Sequence, residues 1–255
     1  MKYFKYSKYS IEHPEVWEIC QDPKSKKDTA FIIKLFKKYG KVKSVLDVGC
    51  GTGSHVKHLF EKGYEAEGVE ADSAKVEFSK KKYHDLKFKT QFMQTLNMNK
   101  KYDAIICIHN IIAFNKTNEE VFTTFKNFNK HLKKGGLLLV QTKNAMGLIK
   151  NKFVSSFMDT SKDRKAMGIK AVYEEDVEVT TQRFITKRTF FRLKDNKNVG
   201  SYTKSSRLYF PQELKFFLEQ SGFKVLDHYG GDLSKMTLKD KKLEKPNMLF
   251  VAKKK

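Results

Sequence analysis

The chain has 255 residues, enough to bury a sizeable core, and its 40% hydrophobic and 31% charged residues exclude a disordered chain. Its net charge of +22 comes from lysines spread in pairs and triplets with arginine scarce, which reads as a solvated basic surface ahead of a nucleic-acid partner; nucleic acid is not favoured. No window approaches ~18 consecutive apolar residues, MKYFKYSKYS lacks a signal-peptide core, and Cys20, Cys50 and Cys107 form no CxxC spacing, so we expect a cytoplasmic protein with no membrane span, disulfide framework, zinc or other metal site.

Taken in order, Pro14 opens a first helix carrying Trp17 and Cys20, and Pro23 ends it. Asp28 then reads as the N-cap of a second helix that buries Phe31, Ile32, Leu35 and Phe36 and stops at Gly40. Strand and helix alternate after that. Strands are expected at Ser44–Val48, Glu65–Glu70, Lys87–Gln91, Tyr102–Ile108 and Leu137–Gln141, with helices from Ser54, Asp72 and Asn118 between them. That rhythm means a parallel, doubly wound sheet.

The rhythm changes after Lys143. Residues 145–165 show little period, and 171–210 alternate with period two, as three antiparallel strands would. Pro211 opens a helix stopped by Gly222, and two closing strands, Phe223–His228 and Met248–Ala252, flank a basic loop at 232–246. We read one domain: N-terminal helices (1–43), a core (44–144), a lid insertion (145–210), and a closing helix and strands (211–255).

The stretch SVLDVGCGTGSHVKH, Ser44 to His58, organises the rest. A buried strand feeds a glycine turn at a helix N-terminus, the usual cradle for a nucleotide-like ligand. A P-loop would need Lys-Ser/Thr after the last glycine, but Ser54-His55 follows; a dinucleotide fingerprint needs GxGxxG, and Ser54 stands where its third glycine belongs. What fits is Asp47 two residues before GxGxG, with Glu70 ending the next strand, placed to accept hydrogen bonds from ribose hydroxyls. The glycines let the backbone approach a ligand without a Cβ clash.

LDVGCGTG followed by GVEAD resembles motif I and its successor in class I S-adenosylmethionine-dependent methyltransferases. The resemblance implies a Rossmann-like α/β fold with a seven-stranded sheet whose last strand is antiparallel, and S-adenosyl-L-methionine over the ends of the first two strands. Carried across, Gly49 and Gly51 would line the methionine moiety and Glu70 the ribose. Phe92 and Met93 fall in the adenine-contacting segment, Phe92 standing where many members have Asp, and Ile108 would touch the adenosine side. A looser similarity, through GTGSHV, the insertion and RLYFPQELKFFLEQSGF, is to N-methyltransferases of nucleotide-linked amino sugars. It places Trp17-Glu18 beside the cofactor and Lys27 near the methionine carboxylate. Two departures bear on the substrate: Phe114 replaces a histidine, and the basic loop replaces a short turn.

Methyl transfer from a sulfonium needs alignment more than a catalytic group, unless the nucleophile arrives protonated. His109, following the fourth strand at its carboxyl edge, is the candidate base or acceptor contact. His55 is expected to serve the helix or the cofactor side, His13 and His228 reach the site only if the entry helix and the sixth strand fold over it, and Tyr6, Tyr9 and Trp17 read as core or lid aromatics ahead of ring contacts. Cys50 and Cys107 read as small apolar fillers. The expected function is methyl transfer to an N or O nucleophile of a small molecule, by a monomer or homodimer. An RNA- or protein-directed enzyme is the alternative, weakened because His109-Asn110-Ile111-Ile112 stands where Asn-Pro-Pro-Tyr would and no Pro-Cys or RNA module is visible.

Overall fold

The computed structural model describes residues 14–150, 155–159 and 168–255, the side chains of 14–23, 155–159, Ile169 and Tyr202 excepted. Helix α1 (Pro14–Tyr39) runs unbroken through Pro23, so the two expected helices are one. An interior proline forfeits a helical hydrogen bond and crowds the preceding turn. The stripe that follows outweighs it, since Phe31, Ile32, Leu35 and Phe36 are each at most 3% exposed. Asp28 lies in that buried stripe and caps nothing.

Strand and helix then alternate as expected: β1 (Ser44–Val48), α2 (Ser54–Phe60), β2 (Glu65–Glu70), α3 (Ser73–Lys82), β3 (Lys87–Thr90), β4 (Tyr102–Cys107), α4 (Asn118–His131) and β5 (Leu132–Lys143). Asp72 caps α3, its side chain accepting from the Ala74 N–H at 3.0 Å. Strand β5 begins earlier than its apolar run and takes in Gly135 and Gly136, with a register shift against β4 at that point. After α5 (Ala145–Lys150), β6 (Ser155–Asp159), β7 (Ile169–Glu178), β8 (Arg183–Arg192) and β9 (Asn198–Arg207), the chain closes with α6 (Pro211–Gln220), β10 (Phe223–Gly230) and β11 (Asn247–Lys254).

The main sheet has seven strands in the order β10-β11-β5-β4-β1-β2-β3. Pairs from β3 to β5 are parallel, and β11 runs antiparallel to both β5 and β10. Period-two alternation splits the core into two layers. Leu46, Ile105, Leu138 and Phe250 meet Phe125 and Phe128 of α4 and Leu214 and Phe217 of α6 on one face. Val45, Ala104, Leu139 and Val251 meet the α1 stripe and Val56 and Leu59 of α2 on the other. Burying both faces is why these strands read as continuous apolar runs.

The excursion is a separate four-stranded antiparallel sheet, β6-β7-β8-β9, where three strands were expected. The added strand is β6, which pairs Ser155–Asp159 against Ala171–Glu175; SSFMD is too short to show a period of its own. Ala171, Tyr173, Phe184, Thr186 and Ser206 line one face and are buried, the residues between them more exposed. Phe184 joins Ala145 and Leu148 of α5 and Leu208 in a small third core. The loop at 232–246 is folded back: Asn144 Nδ2 donates to the carbonyls of Leu243 and Lys245 at 2.8 and 3.0 Å, and the Gly230 N–H to that of Asp240. No described helix is long and apolar enough to cross a membrane.

Candidate functional site

The glycine turn sits between β1 and α2, stitched to the next strand where the Gly49 and Cys50 N–H groups donate to the Val69 carbonyl at 2.8 and 3.1 Å. Gly49 (φ 78°) and Gly51 (φ 57°) are left-handed, a region costly to residues with a Cβ. Their surroundings differ. A Cβ on Gly49 would meet Ile111 at 2.5 Å, so Gly49 is required by packing; one on Gly51 would meet none of the described residues within 4 Å. Among those residues Gly51 faces space that a ligand can fill.

Two acids stand under this turn. Glu70, 6% exposed, is fixed by three backbone donors: Ala71 and Asp72 N–H to Oε1 at 2.8 and 3.1 Å, and Gly51 N–H to Oε2 at 3.0 Å. A carboxylate has about four acceptor positions, so Glu70 keeps room for about one further donor. Asp47 is 2% exposed and its Oδ2 has no partner. Burial and the nearby Glu70 charge push its carboxyl up to about 8. A buried carboxyl with no cation beside it is uncomfortable ionised, and a positively charged ligand would relieve it. Burial likewise raises the Cys50 and Cys107 thiols, so neither is a thiolate at neutral pH.

The remaining candidates are dispersed. Phe92 is 39% exposed, whereas Met93 and Ile108 put their side chains into the two core layers. Ile108 and Met93 are 3% and 8% exposed, so Phe92 presents the most side-chain surface of the three. Ile111, which sequence reading passed over, packs on Gly49 instead. Lys27 lies on the exposed side of α1. Trp17 is in α1 with its side chain outside the described residues, as are Tyr6, Tyr9 and His13 altogether. His228 of β10 packs against its cross-strand partner Phe250 of β11, ring centroids 5.9 Å apart.

His109 and Asn110, just past β4, are both left-handed (φ 55° and 66°). Gln141 of β5 holds that bend: its Oε1 accepts from His109 N–H at 2.6 Å and its carbonyl from Asn110 N–H at 3.3 Å. Backbone strain in a non-glycine residue persists where the surroundings impose it, commonly at working sites. The His109 ring meets Asp28, Nε2 to Oδ2 at 2.9 Å, and His55 Nε2 reaches the same oxygen at 3.4 Å. Burial would raise the Asp28 carboxyl, but hydrogen bonds and charge from His109 and His55 outweigh it and hold the group below the usual carboxylate range. Burial holds the His55 imidazole below its ordinary value, against the opposing pull of Asp28. Asp28 is the residue sequence reading misplaced, as a helix cap.

The family profile described as a methyltransferase domain matches residues 25–228, and the chain belongs to that family. It is similar to a dTDP-3-amino-3,4,6-trideoxy-alpha-D-glucopyranose N,N-dimethyltransferase of Streptomyces venezuelae, 24% identical over 139 residues, 52% of this chain and 58% of that one. A glycine/sarcosine N-methyltransferase of Aphanothece halophytica is 28% identical over 141 residues, 51% of this chain and 52% of that one. The chain thus spans about half the length of the curated relatives it matches. Among solved structures, an S-adenosylmethionine-dependent methyltransferase from Clostridium acetobutylicum matches with a TM-score of 0.74 at 18% identity, covering 90% of this chain and 91% of that one. That likeness is one of fold.

Proposed function

We propose that this chain is an S-adenosylmethionine-dependent methyltransferase acting on a nitrogen or oxygen nucleophile of a small molecule. One observation carries the reading: Gly51 opens onto free space directly beside Glu70, whose carboxylate is held by three backbone N–H groups with one acceptor position left. That position suits a ribose hydroxyl. The unpartnered Asp47 carboxyl suits a ligand that brings positive charge, as a sulfonium amino acid does. Bound there, the cofactor supplies a methyl group on a cationic sulfur, open to in-line attack by a lone pair.

The chain's own part is to position the acceptor and, for a protonated one, to take its proton. We assign the second task to His109, half-exposed at the strand edge with Nε2 turned to Asp28, which leaves Nδ1 as the accepting atom. Lys204 of β9 lies opposite Thr186, its Nζ 4.4 Å from the Phe114 ring centroid, with Arg188 on the same face of the sheet. Burial, then the charges of Arg188, Lys75 and Lys143, bring the Lys204 ammonium down to about 8. Lys204 and Arg188 on one face of the insertion's sheet favour an acceptor that is itself anionic. The relatives' names fit this, since a dTDP-linked amino sugar and glycine each join an amine to an acidic group. We favour N-methylation on these grounds.

The RNA- or protein-directed alternative leaned on the basic loop. Two of its lysines are engaged at home, Lys241 with Asp227 and Lys245 with Asp240, the latter at 3.3 Å. A screen of amines, amino sugars and short RNAs with labelled cofactor tests the acceptor class; label passing to RNA and to no small molecule would overturn the small-molecule reading.

A further inference from the structure

Three side chains from distant parts of the chain converge where α1, α2 and the bend after β4 meet. Asp28 Oδ2 lies 2.9 Å from His109 Nε2 and 3.4 Å from His55 Nε2, and the three donor atoms are all within 4.8 Å of one another. Ligands of a tetrahedral zinc ion at ~2.0–2.1 Å are separated by about 3.3 Å. The two Asp28 edges bracket that value.

Hydrogen bonding leaves half of the carboxylate unused. Both imidazoles meet Oδ2, while Oδ1 of Asp28, a residue 1% exposed, has no partner among the described residues. A buried, unmet carboxylate oxygen is costly unless something else comes to the group. The bend that delivers the His109 ring is itself left-handed, at φ 55°. Two imidazole nitrogens and a buried carboxylate gathered this closely are a donor set that a cation can take.

We infer that Asp28, His55 and His109 form a three-ligand site for a first-row divalent transition ion of the zinc type, tying α1 and α2 to the strand edge. Two imidazoles and one carboxylate suit zinc, cobalt or nickel, not magnesium or calcium, which prefer oxygen. Sequence reading expected no metal because it weighed cysteine spacing; these ligands lie 27 and 81 residues from Asp28 and form no motif. The site does not depend on the methyl-transfer reading. The two roles exclude each other at His109: an ion on Nε2 leaves the proton on Nδ1, so proton transfer at this ring belongs to the ion-free chain.

The test uses the untagged full chain, stripped with chelator and titrated with Zn²⁺ against a chromophoric competitor, and with Co²⁺ for its ligand-field spectrum. We expect one ion per chain, a rise in melting temperature on loading, and the intense visible bands of low-coordinate cobalt. His109→Gln and Asp28→Asn should each weaken Zn²⁺ binding at least about 100-fold, while His228→Gln, a histidine away from the cluster, leaves it unchanged. His109 is half-exposed, so His109→Gln is the variant to rely on if Asp28→Asn fails to fold. Absence of stoichiometric binding, or binding undiminished in His109→Gln, overturns the proposal.

Discussion

Asp47 and Glu70 end neighbouring strands and carry opposite burdens. Glu70 is met by three backbone donors; Asp47 has an oxygen with none and a carboxyl raised to about 8. The folded chain therefore holds a proton that the unfolded chain, near 3.8, gives up earlier. Stability from this group is full below the unfolded value and is lost as pH rises towards about 8, with a slope approaching ~1.4 kcal/mol per pH unit. Urea melts of the cofactor-free protein between about pH 5 and 8 should show that decline, and Asp47→Asn should flatten it. Equal slopes in the two proteins would contradict the assignment. Both acids were legible in the sequence because strand, turn and next strand lie within one short stretch. Asp28 was not, since its partners His55 and His109 are brought to it only by the packing of α1.

At the scale of elements, α1 is held at both ends of its buried stripe. Its last residue, Tyr39, donates to Asp227 of β10, sits 2.8 Å from the Tyr229 hydroxyl, and shares Asp227 with Lys241 of the basic loop. Burial would raise the Asp227 carboxyl, but hydrogen bonds from Lys241, Tyr39 and the His228 backbone hold it far below the ordinary range. A depressed acid stabilises above its unfolded value, near 3.8, and the contribution fades as pH falls below that. Asp227→Ala should thus cost about 1.5–3 kcal/mol at neutral pH and clearly less near pH 3, measured by urea melts. A penalty independent of pH would point to lost packing instead. The main-sheet strands were readable from their apolar runs, and the insertion's long strands from period two. Pro23 deceived because local propensity was outweighed by burial of the residues after it, and β6 was missed because five residues carry no pattern without their partner strand.

For the whole molecule, the question is what the +22 charge does. Lysine ammonium groups attract polyanions at long range but read no sequence, and such attraction is screened by salt. A short RNA should bind at ~50 mM salt and lose about 10³-fold or more in affinity by ~200 mM. Tight binding that persisted at the higher salt would revive the RNA-directed reading. In the function proposed, the seven-stranded sheet and its glycine turn would hold the methyl donor, and the four-stranded insertion, with Lys204 and Arg188 on one face, would face the acceptor. The central claim is the first of these. Calorimetric titration with S-adenosylmethionine tests it most directly: the account predicts one binding site, weakened about 10- to 100-fold in Glu70→Ala by loss of a charge-assisted hydrogen bond. No heat and no thermal shift with the parent protein, or an unchanged affinity in Glu70→Ala, would contradict it.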